Sequence, residues 1–471
     1  MKKFNKDKYL RKLKLKRYWQ NISRYFYIGI SCLLCLVLGI YFAYSKFFVS
    51  SEEEVVRTTV GEFIYGDIIM TPYVDGQYST TFPEKKTGIN VEKVVCDNGV
   101  TASWDEDKWG LYATNLSKRT KCSVYFVTSA SCGINDNVSC INSREGLATL
   151  ANEVNNGDNK SGKIIYLTSD LDLGGKFDSD GNALDGNISW TPIGTDSNPF
   201  SGTFDGNGHI VSNMYINADD SVAFFYRVTN SLIKNLGIEN SYVQSRNGAA
   251  SALISTAIDT KVKTTYASVT LNGQKTTSGL VSYALGSNIK NSYNVGNITS
   301  NDKQFGAGIV GYLGYKTSTI ENCYNLGNLS VGIQSGGIVG GLQGLVENTY
   351  NIGNITGNSD RGGIVGQVFT ETSPVIKNNY NIGIINNGGG IIDGYYGDKN
   401  DYLIQNNFYL QGSADYGVSF LQSNTGAEPL SQDEMPSVIS VINGDNAFAE
   451  DTNNINNGYP ILKWQAEREN N

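Results

Sequence analysis

The sequence predicts an all-β protein whose main body is a parallel β-helix. One observation is a glycine phrase written five times, at intervals of 29, 29, 26 and 27 residues, which begins at Gly279, Gly308, Gly337, Gly363 and Gly390. A second phrase, Ile/Val-x-Asn, follows each copy of the first and recurs at intervals of 31, 26, 30 and 28 residues. Its asparagines are Asn291, Asn322, Asn348, Asn378 and Asn406. Two strand phrases per period, joined by Gly- and Asn-rich turns, are typical of one coil of a solenoid.

Composition and charge narrow the classes of function. The aromatic share of 11% is too high for a disordered chain, so we interpret the recurring Gly and Asn as turn residues. Residues 1–24 carry ten Lys/Arg against one acid, and the remainder carries 27 basic and 44 acidic residues, a net charge of −17. An acidic bulk repels phosphate backbones, so we predict no nucleic-acid partner.

The N-terminus predicts a single-pass membrane anchor. Residues 25–44 form a stretch of twenty residues without a charged side chain. Such a stretch is long enough to cross a bilayer as one helix. We therefore predict a basic cytoplasmic tail at 1–24, a transmembrane helix at 25–45, an acidic linker at 46–54 and an extracellular remainder, since positive charge stays inside. The alternative is a cleaved signal peptide.

Residues 55–128 predict a small β domain, because their short runs are rich in β-forming residues and are separated by Gly and Asn turns. An exported domain of this size gains stability from disulfides. The pairs closest in sequence are Cys96 with Cys122 and, in a linker at 129–142, Cys132 with Cys140. Trp104 and Trp109 are interpreted as core residues, with a sugar-stacking pair as the alternative.

Residues 143–471 are predicted to form the β-helix, with short helices closing both ends. At 143–154, apolar residues recur at helical spacing behind Ser143, a suitable N-cap, so this helix should cover the first coil. Ser431 and Glu434 resemble a capping box that begins a helix to 441, and residues 457–464 should lie across the last coil. The repeat is expected to run continuously from about 163 to 410. Its phrase asparagines should stack as a ladder of side-chain amides.

No catalytic, cofactor-binding or metal-binding residue is assigned. The only histidine, His209, lies in a Gly-rich turn, and Cys323 occupies a position that is small in the sister repeats, so both are interpreted as structural. The Asp178 loop resembles a calcium loop but fails the EF-hand spacing at Ala183 and Ser189. A carbohydrate-active enzyme stays an alternative because two groups of charged residues could serve it. These groups are Asp360 with Arg361, and Asp393, Asp398, Lys399 and Asp401.

The Gly-Ile-Val-Gly and Ile-x-Asn-x-Tyr-Asn phrases resemble the GLUG repeats of bacterial surface proteins. The entry at residues 190–209 and the close at 458–462 are similar to the flanks of such domains. The resemblance implies a right-handed parallel β-helix in an adhesin-like, Gram-positive envelope protein. Such repeats also stand upstream of immunoglobulin-A-cleaving metallopeptidases, but no His-Glu-x-x-His motif occurs here.

The expected function is therefore cell-surface binding or adhesion to an extracellular protein or glycan, without catalysis or a cofactor. The alternatives are a polysaccharide lyase or hydrolase and a passive stalk. Because stacking and turns account for the repeated residues, a partner should be sought where the repeats differ, at 304–305, 312–317 and 369–373.

Overall fold

The computed structural model describes part of the chain in detail. The described residues are 14–15, 57–59, 62–70, 78–81, 89–114, 120–128, 131–300, 304–397, 401–434, 439–444 and 446–469. The chain divides into two compact units, Met1–Ala130 and Ser131–Asn471. The predicted tail, transmembrane helix and acidic linker lie outside the described residues, apart from residues 14–15. Within the described part, no helix is both long and apolar enough to cross a bilayer.

The first unit contains two antiparallel sheets that share one core. The four-stranded sheet has the strands Arg57–Thr59, Glu62–Met70, Ile89–Cys96 and Thr120–Thr128, and the three-stranded sheet has Tyr78–Thr81, Thr101–Asp105 and Gly110–Thr114. Trp104 and Trp109 pack edge to face at 5.0 Å inside this core, with Phe126 beside them. Both tryptophans are therefore core residues.

The described residues include two disulfides. Cys96 and Cys122 are register partners on neighbouring strands, with their Cα atoms 4.0 Å apart. Cys132 and Cys140 are joined with a Cα separation of 5.7 Å. The second bridge belongs to the solenoid unit, because Cys140 lies in the strand Val138–Ile141, which pairs in parallel with Ile164–Leu167. The solenoid thus begins inside the segment 129–142, which the sequence analysis places in a linker.

The second unit is a parallel β-solenoid of about 10 coils. Its strands stack in five columns, of which columns 1 to 3 form one sheet and columns 4 and 5 the other. Column 1 contains Val138–Ile141, Ile164–Leu167, Thr203–Asp205, the start of Leu232–Ser245, the start of Lys261–Gly273, Asn288–Lys290, Thr319–Glu321, Leu345–Glu347, Val375–Lys377 and Leu403–Gln405. Column 2 contains Leu171–Asp172, Ile210–Ser212, the middle of the two long strands, Tyr293–Asn294, Tyr324–Asn325, Tyr350–Asn351, Tyr380–Asn381, Asn407–Leu410 and Ala427–Leu430.

The other three columns complete each coil. Column 3 contains Tyr215–Ala218, the ends of the two long strands, Ile298–Ser300, Leu329–Ser330 and Ile355–Thr356. Column 4 contains Ala250–Ser251, Thr277–Ser278, Gly306–Ala307, Ile333–Gly336, Ser359–Gly362 and the start of Gly389–Tyr396. Column 5 contains Phe225–Thr229, Ile254–Ile258, Val281–Leu285, Val310–Gly314, Val339–Leu342, Val365–Phe369, the rest of Gly389–Tyr396 and Tyr416–Val418.

The register confirms the predicted period, including its weak early copies. Ile233 pairs with Val262, and Val262 with Ile289, so both early coils continue the column of the Ile/Val-x-Asn phrase. Ile254 pairs with Val281 of the first glycine phrase. These side chains are fully buried. They belong to the inward-facing rows of Ile, Leu and Val that form the solenoid core.

The asparagines of the Ile/Val-x-Asn phrase form a corner. Asn291, Asn322, Asn348, Asn378 and Asn406 have φ between 51° and 57°. This left-handed conformation favours Asn among residues with a side chain. The predicted amide ladder is only partial: bonds join Asn322 to Asn291, and Asn378 to both Asn348 and Asn406. No described residue bonds to Asn322 Oδ1, so the ladder breaks there.

A continuous amide ladder instead involves the asparagine that follows each tyrosine. Its members Asn294, Asn325, Asn351 and Asn381 are fully buried. Each amide donates to the next across 2.8–2.9 Å, and each also donates to the carbonyl oxygen two residues ahead. This ladder explains the first glycine of the glycine phrase, because a Cβ at Gly279 would lie 2.6 Å from Asn294 Cγ.

The helix predicted at the N-terminal end is confirmed as α1, Arg144–Asn155. Ser143 Oγ accepts from the Gly146 N–H, as an N-cap should. The predicted apolar stripe, Leu147, Leu150, Ala151 and Val154, is buried in the solenoid core.

The C-terminal segment lies along the side of the stack, so the prediction that residues 457–464 close its last coil is wrong. Short helices at Ile439–Ile442 and Lys463–Glu469, and the antiparallel pair Phe448–Ala449 and Ile461–Leu462, make up this segment. Trp464 packs on Tyr266 and Tyr293, and Phe448 packs on Tyr350. These tyrosines point outward from column 2 and stack at 4.8–5.1 Å, so they need an apolar cover.

Candidate functional site

A second outward row of rings lies on the opposite sheet, and its residues come from the positions where the repeats differ. We call it the aromatic strip; its members are Tyr283, Phe305, Tyr312, Phe369 and Tyr396. Ring centroids are 5.1 Å apart for Phe305 and Tyr312, 5.7 Å for Tyr312 and Phe369, and 5.8 Å for Phe369 and Tyr396. The structure thus brings together all three segments that the sequence analysis proposed for a partner.

The strip follows five consecutive strands of column 5. Tyr283 pairs with Tyr312, and Tyr312 with Gly341, in one outward-facing row. Gly341 has no side chain to display, and the ring of Phe305 fills that place, since a Cβ there would lie 2.9 Å from Phe305 Cδ1. Phe369 and its register partner Tyr396 continue the strip on the next two strands. Four of the five strands therefore carry a ring of the strip, and Phe305, from the segment before Gly306–Ala307, covers the fifth at Gly341.

The strip faces outward and is partly exposed. Tyr396 is 60% exposed, and Phe305, Tyr312 and Phe369 are half-buried. Partial burial raises the pKa of the Tyr312 hydroxyl, so this tyrosine stays neutral at physiological pH. It presents a flat apolar surface with an uncharged polar tip.

Amide side chains border the strip. Tyr283 donates from its hydroxyl to Gln304 Oε1 across 3.4 Å, and Gln334 Nε2 donates to Gln367 Oε1 across 2.7 Å. Gln367 is only 8% exposed, which fixes its amide in place. No described residue accepts from its Nε2 or donates to Gln334 Oε1. The border therefore offers one hydrogen-bond donor and one acceptor.

Two predicted charged groups meet beside the strip. The Arg361 backbone N–H donates to Asp393 Oδ2 across 2.7 Å, so Asp360, Arg361 and Asp393 form one cluster. Desolvation raises the pKa of Asp360, and the Asp393 carboxylate raises it further, while Arg361 acts in the opposite direction. The Arg361 guanidinium is buried and bonds to the carbonyl oxygens of Gly357 and Asn387.

The remaining members of the predicted charged set are Asp398, Lys399 and Asp401. Asp398 and Lys399 lie outside the described residues, and Asp401 is exposed beyond them. In the sequence, Asp360 and Asp393 belong to separate groups because 33 positions divide them. They lie on the neighbouring strands Ser359–Gly362 and Gly389–Tyr396, and the one-coil period that pairs these strands is the signal that could have joined them.

The remaining candidates have structural roles. Cys323 is fully buried, and burial raises the pKa of its thiol to about 12, so it is no nucleophile. His209 Nδ1 lies 3.1 Å from Asp170 Oδ1, which also accepts from the Ile210 N–H. This pair fixes a turn between coils.

The Asp178 loop is closed by its own hydrogen bonds. Asp178 accepts from the backbone of Asp180 and from both the backbone and the side chain of Asn182, and these bonds lower the pKa of its carboxyl group. The loop packs Phe177 onto Tyr215 and Tyr242. Across the described residues, no group of three or more acidic, Cys or His side chains could hold a metal ion.

Comparisons with known proteins leave the family open. No family model matches the chain, and no curated protein matches it. A crystal structure of a candidate immunoglobulin A1 protease from Bacteroides ovatus is similar to it at 18% identity and a TM-score of 0.46, covering 70% of this chain and 94% of that one. An IgA1 protease structure is similar at 16% identity and a TM-score of 0.43, covering 77% of this chain and 27% of that one.

Proposed function

We propose that this chain is a cell-surface binding protein whose solenoid presents the aromatic strip to an extracellular protein or glycan. The observation that carries the proposal is the position of the repeat-variable rings. They lie together, partly exposed, on a stack whose other repeated residues are accounted for by packing and turns. Exposed apolar patches bordered by polar groups are typical of interaction sites.

The proposed setting is the outer surface of a cell envelope. Residues 25–45 would span the membrane, with residues 1–24 in the cytoplasm and the solenoid outside. The two disulfides support export, because such bonds persist in oxidising compartments. The likeness of the repeated phrases to right-handed GLUG repeats of bacterial, adhesin-like surface proteins supports the same placement.

A binding experiment with matched variants tests the proposal. The purified full-length protein is applied to an array of extracellular matrix proteins and polysaccharides. The variant Tyr312→Ala/Phe369→Ala removes two rings of the strip. Tyr416→Ala is the control, because Tyr416 is an exposed tyrosine outside the strip. We expect the double variant alone to lose its array signal; equal binding by all three proteins refutes the strip as the site.

A carbohydrate-active enzyme is the second candidate, and the Asp360–Asp393 cluster favours it. Glycoside hydrolases use two carboxylates, one of which has a raised pKa and acts as the general acid. Release of reducing or unsaturated sugar ends from a polysaccharide, abolished by Asp360→Asn, would establish this activity. Binding without turnover would refute it. A passive stalk would be left if neither binding nor turnover occurred.

A further inference from the structure

We propose that the aromatic strip binds a linear polysaccharide that carries no anionic groups, laid along the solenoid axis. This inference rests on the proposed function and names the ligand class of that same site. Three observations carry it: the length and direction of the strip, its fixed amide border and its charge.

The first observation is that the strip is linear. Its rings extend over five consecutive strands, and four inter-strand steps of about 4.8 Å give a length of about 19 Å. The strip runs along the stacking direction because its tyrosines and Phe369 lie on successive column 5 strands. Phe305 covers Gly341 on the one strand that has no ring of its own. A linear polymer of flat rings can contact such a row repeatedly. A globular partner would extend well beyond it, since a stable protein interface covers about 800 Å² on each side.

The second observation is the chemistry at the border. Pyranose rings have an apolar face of C–H groups, which packs on an aromatic ring, and hydroxyl groups at their edge. Gln367 Nε2 and Gln334 Oε1 offer a donor and an acceptor that no described residue uses. Gln367 is held by its bond to Gln334 and by burial. Fixed polar groups beside an apolar surface orient a ligand at a low entropic cost.

The third observation is the sign of the charge. Asp360, Glu371 and Asp393 lie at the end of the strip that holds Phe369 and Tyr396, and Glu371 is exposed. The guanidinium of Arg361 is turned inward to backbone carbonyls, so it presents no cation for a ligand carboxylate or sulfate. Lys316, four residues after Tyr312, is an exposed cation. Like charges facing each other disfavour binding, so uronic-acid and sulfated polymers should be excluded.

The test uses four named probes and the full-length protein. Cellohexaose and N-acetylchitohexaose are neutral, and oligogalacturonate and hyaluronan are anionic. We expect at least one neutral probe to bind and neither anionic probe to do so. Tyr396→Ala should weaken that binding about tenfold, whereas Tyr416→Ala should leave it unchanged. Because Tyr396 is 60% exposed, its replacement should preserve the fold, as circular dichroism can check.

A charge variant separates the specificity from simple stacking. Glu371→Lys should raise the binding of oligogalacturonate several-fold relative to the binding of the neutral probe. Binding of an anionic probe by the parent protein would overturn the inference. Strip-dependent binding to matrix proteins, with no binding of either neutral probe, would also overturn it and yet leave the proposed function standing. Loss of every strip-dependent interaction would overturn both.

Discussion

Replacing Asn351 with alanine should be among the most destabilising changes in the solenoid. Asn351 is fully buried and donates to Gly353 O and Asn381 Oδ1, each at 2.8 Å. It also accepts from Asn325 Nδ2 at 2.8 Å. The variant therefore deprives three buried groups of a partner, although Asn325 keeps its bond to Gly327 O.

The magnitude follows from the cost of unsatisfied buried groups. At about 1–3 kcal/mol for each, two acceptors and about half of one donor sum to about 2.5–7.5 kcal/mol of unfolding free energy. Asn378 of the same phrase is the matched comparison, because it has φ 56° and lies half-buried at the corner. Asn378→Gly keeps that conformation without strain and loses only outer amide bonds, so it should cost about 1–2 kcal/mol.

Urea unfolding of the full-length protein, followed by far-ultraviolet circular dichroism, measures both variants against the parent. A solenoid unfolds as coupled neighbouring coils, so the comparison requires equal denaturant slopes. The reasoning is refuted if Asn351→Ala and Asn378→Gly cost the same. It is also refuted if Asn351→Ala costs less than about 1 kcal/mol.

Four further predictions address other features. Gly308→Ala should prevent folding to a protease-resistant product, because its Cβ would overlap the Asn325 side chain, whereas Gly146→Ala in α1 should be tolerated. Asp360→Asn should raise the melting temperature at neutral pH, with the gain vanishing below about pH 4, since a raised folded pKa costs stability only where the carboxyl is ionised. Cys323 should resist alkylation at pH 8 until the protein is unfolded in urea, because burial raises its pKa to about 12. Deleting residues 431–471 should lower the unfolding midpoint and increase dye binding to exposed apolar surface, since it uncovers the column 2 tyrosines.

The period, the inward Ile and Val rows, α1 and the cysteine pairs could all be predicted from sequence. Each of these features depends on residue spacing over a short stretch of chain, and such spacing can be read directly from the sequence. The different roles of the two asparagines in each phrase, such as Asn291 and Asn294, could not be predicted from the sequence. The left-handed corner at Asn291 interrupts the alternation of a strand, so periodicity no longer tells which later side chain points inward. The fully buried ladder that contains Asn294 was therefore missed.

The candidate site was predictable in part. Aligning the repeats identifies the positions of Phe305, Tyr312 and Phe369 as ones where the residue varies between repeats, because stacking does not require an aromatic ring there. The contact between Arg361 and Asp393 depends on the register of strands one coil apart, and loop lengths that vary from coil to coil hide that register. The position of the C-terminal segment was hidden for a related reason. The apolar residues of this segment need an apolar surface on which to pack. The sequence does not show which face of the stack presents the tyrosines that form it.

The two rows of outward rings provide an internal comparison that favours a binding role. Tyr324, Tyr350 and Tyr380 of column 2 are at most 1% exposed, because the C-terminal segment covers them. The aromatic strip occupies a similar number of coils, yet Tyr396 remains 60% exposed and no described segment packs over it. Covering apolar surface stabilises a protein by about 25 cal/mol per Å². The uncovered strip lacks this stabilisation, which the C-terminal segment provides at the column 2 tyrosines. A ligand that covers the strip when bound would recover it.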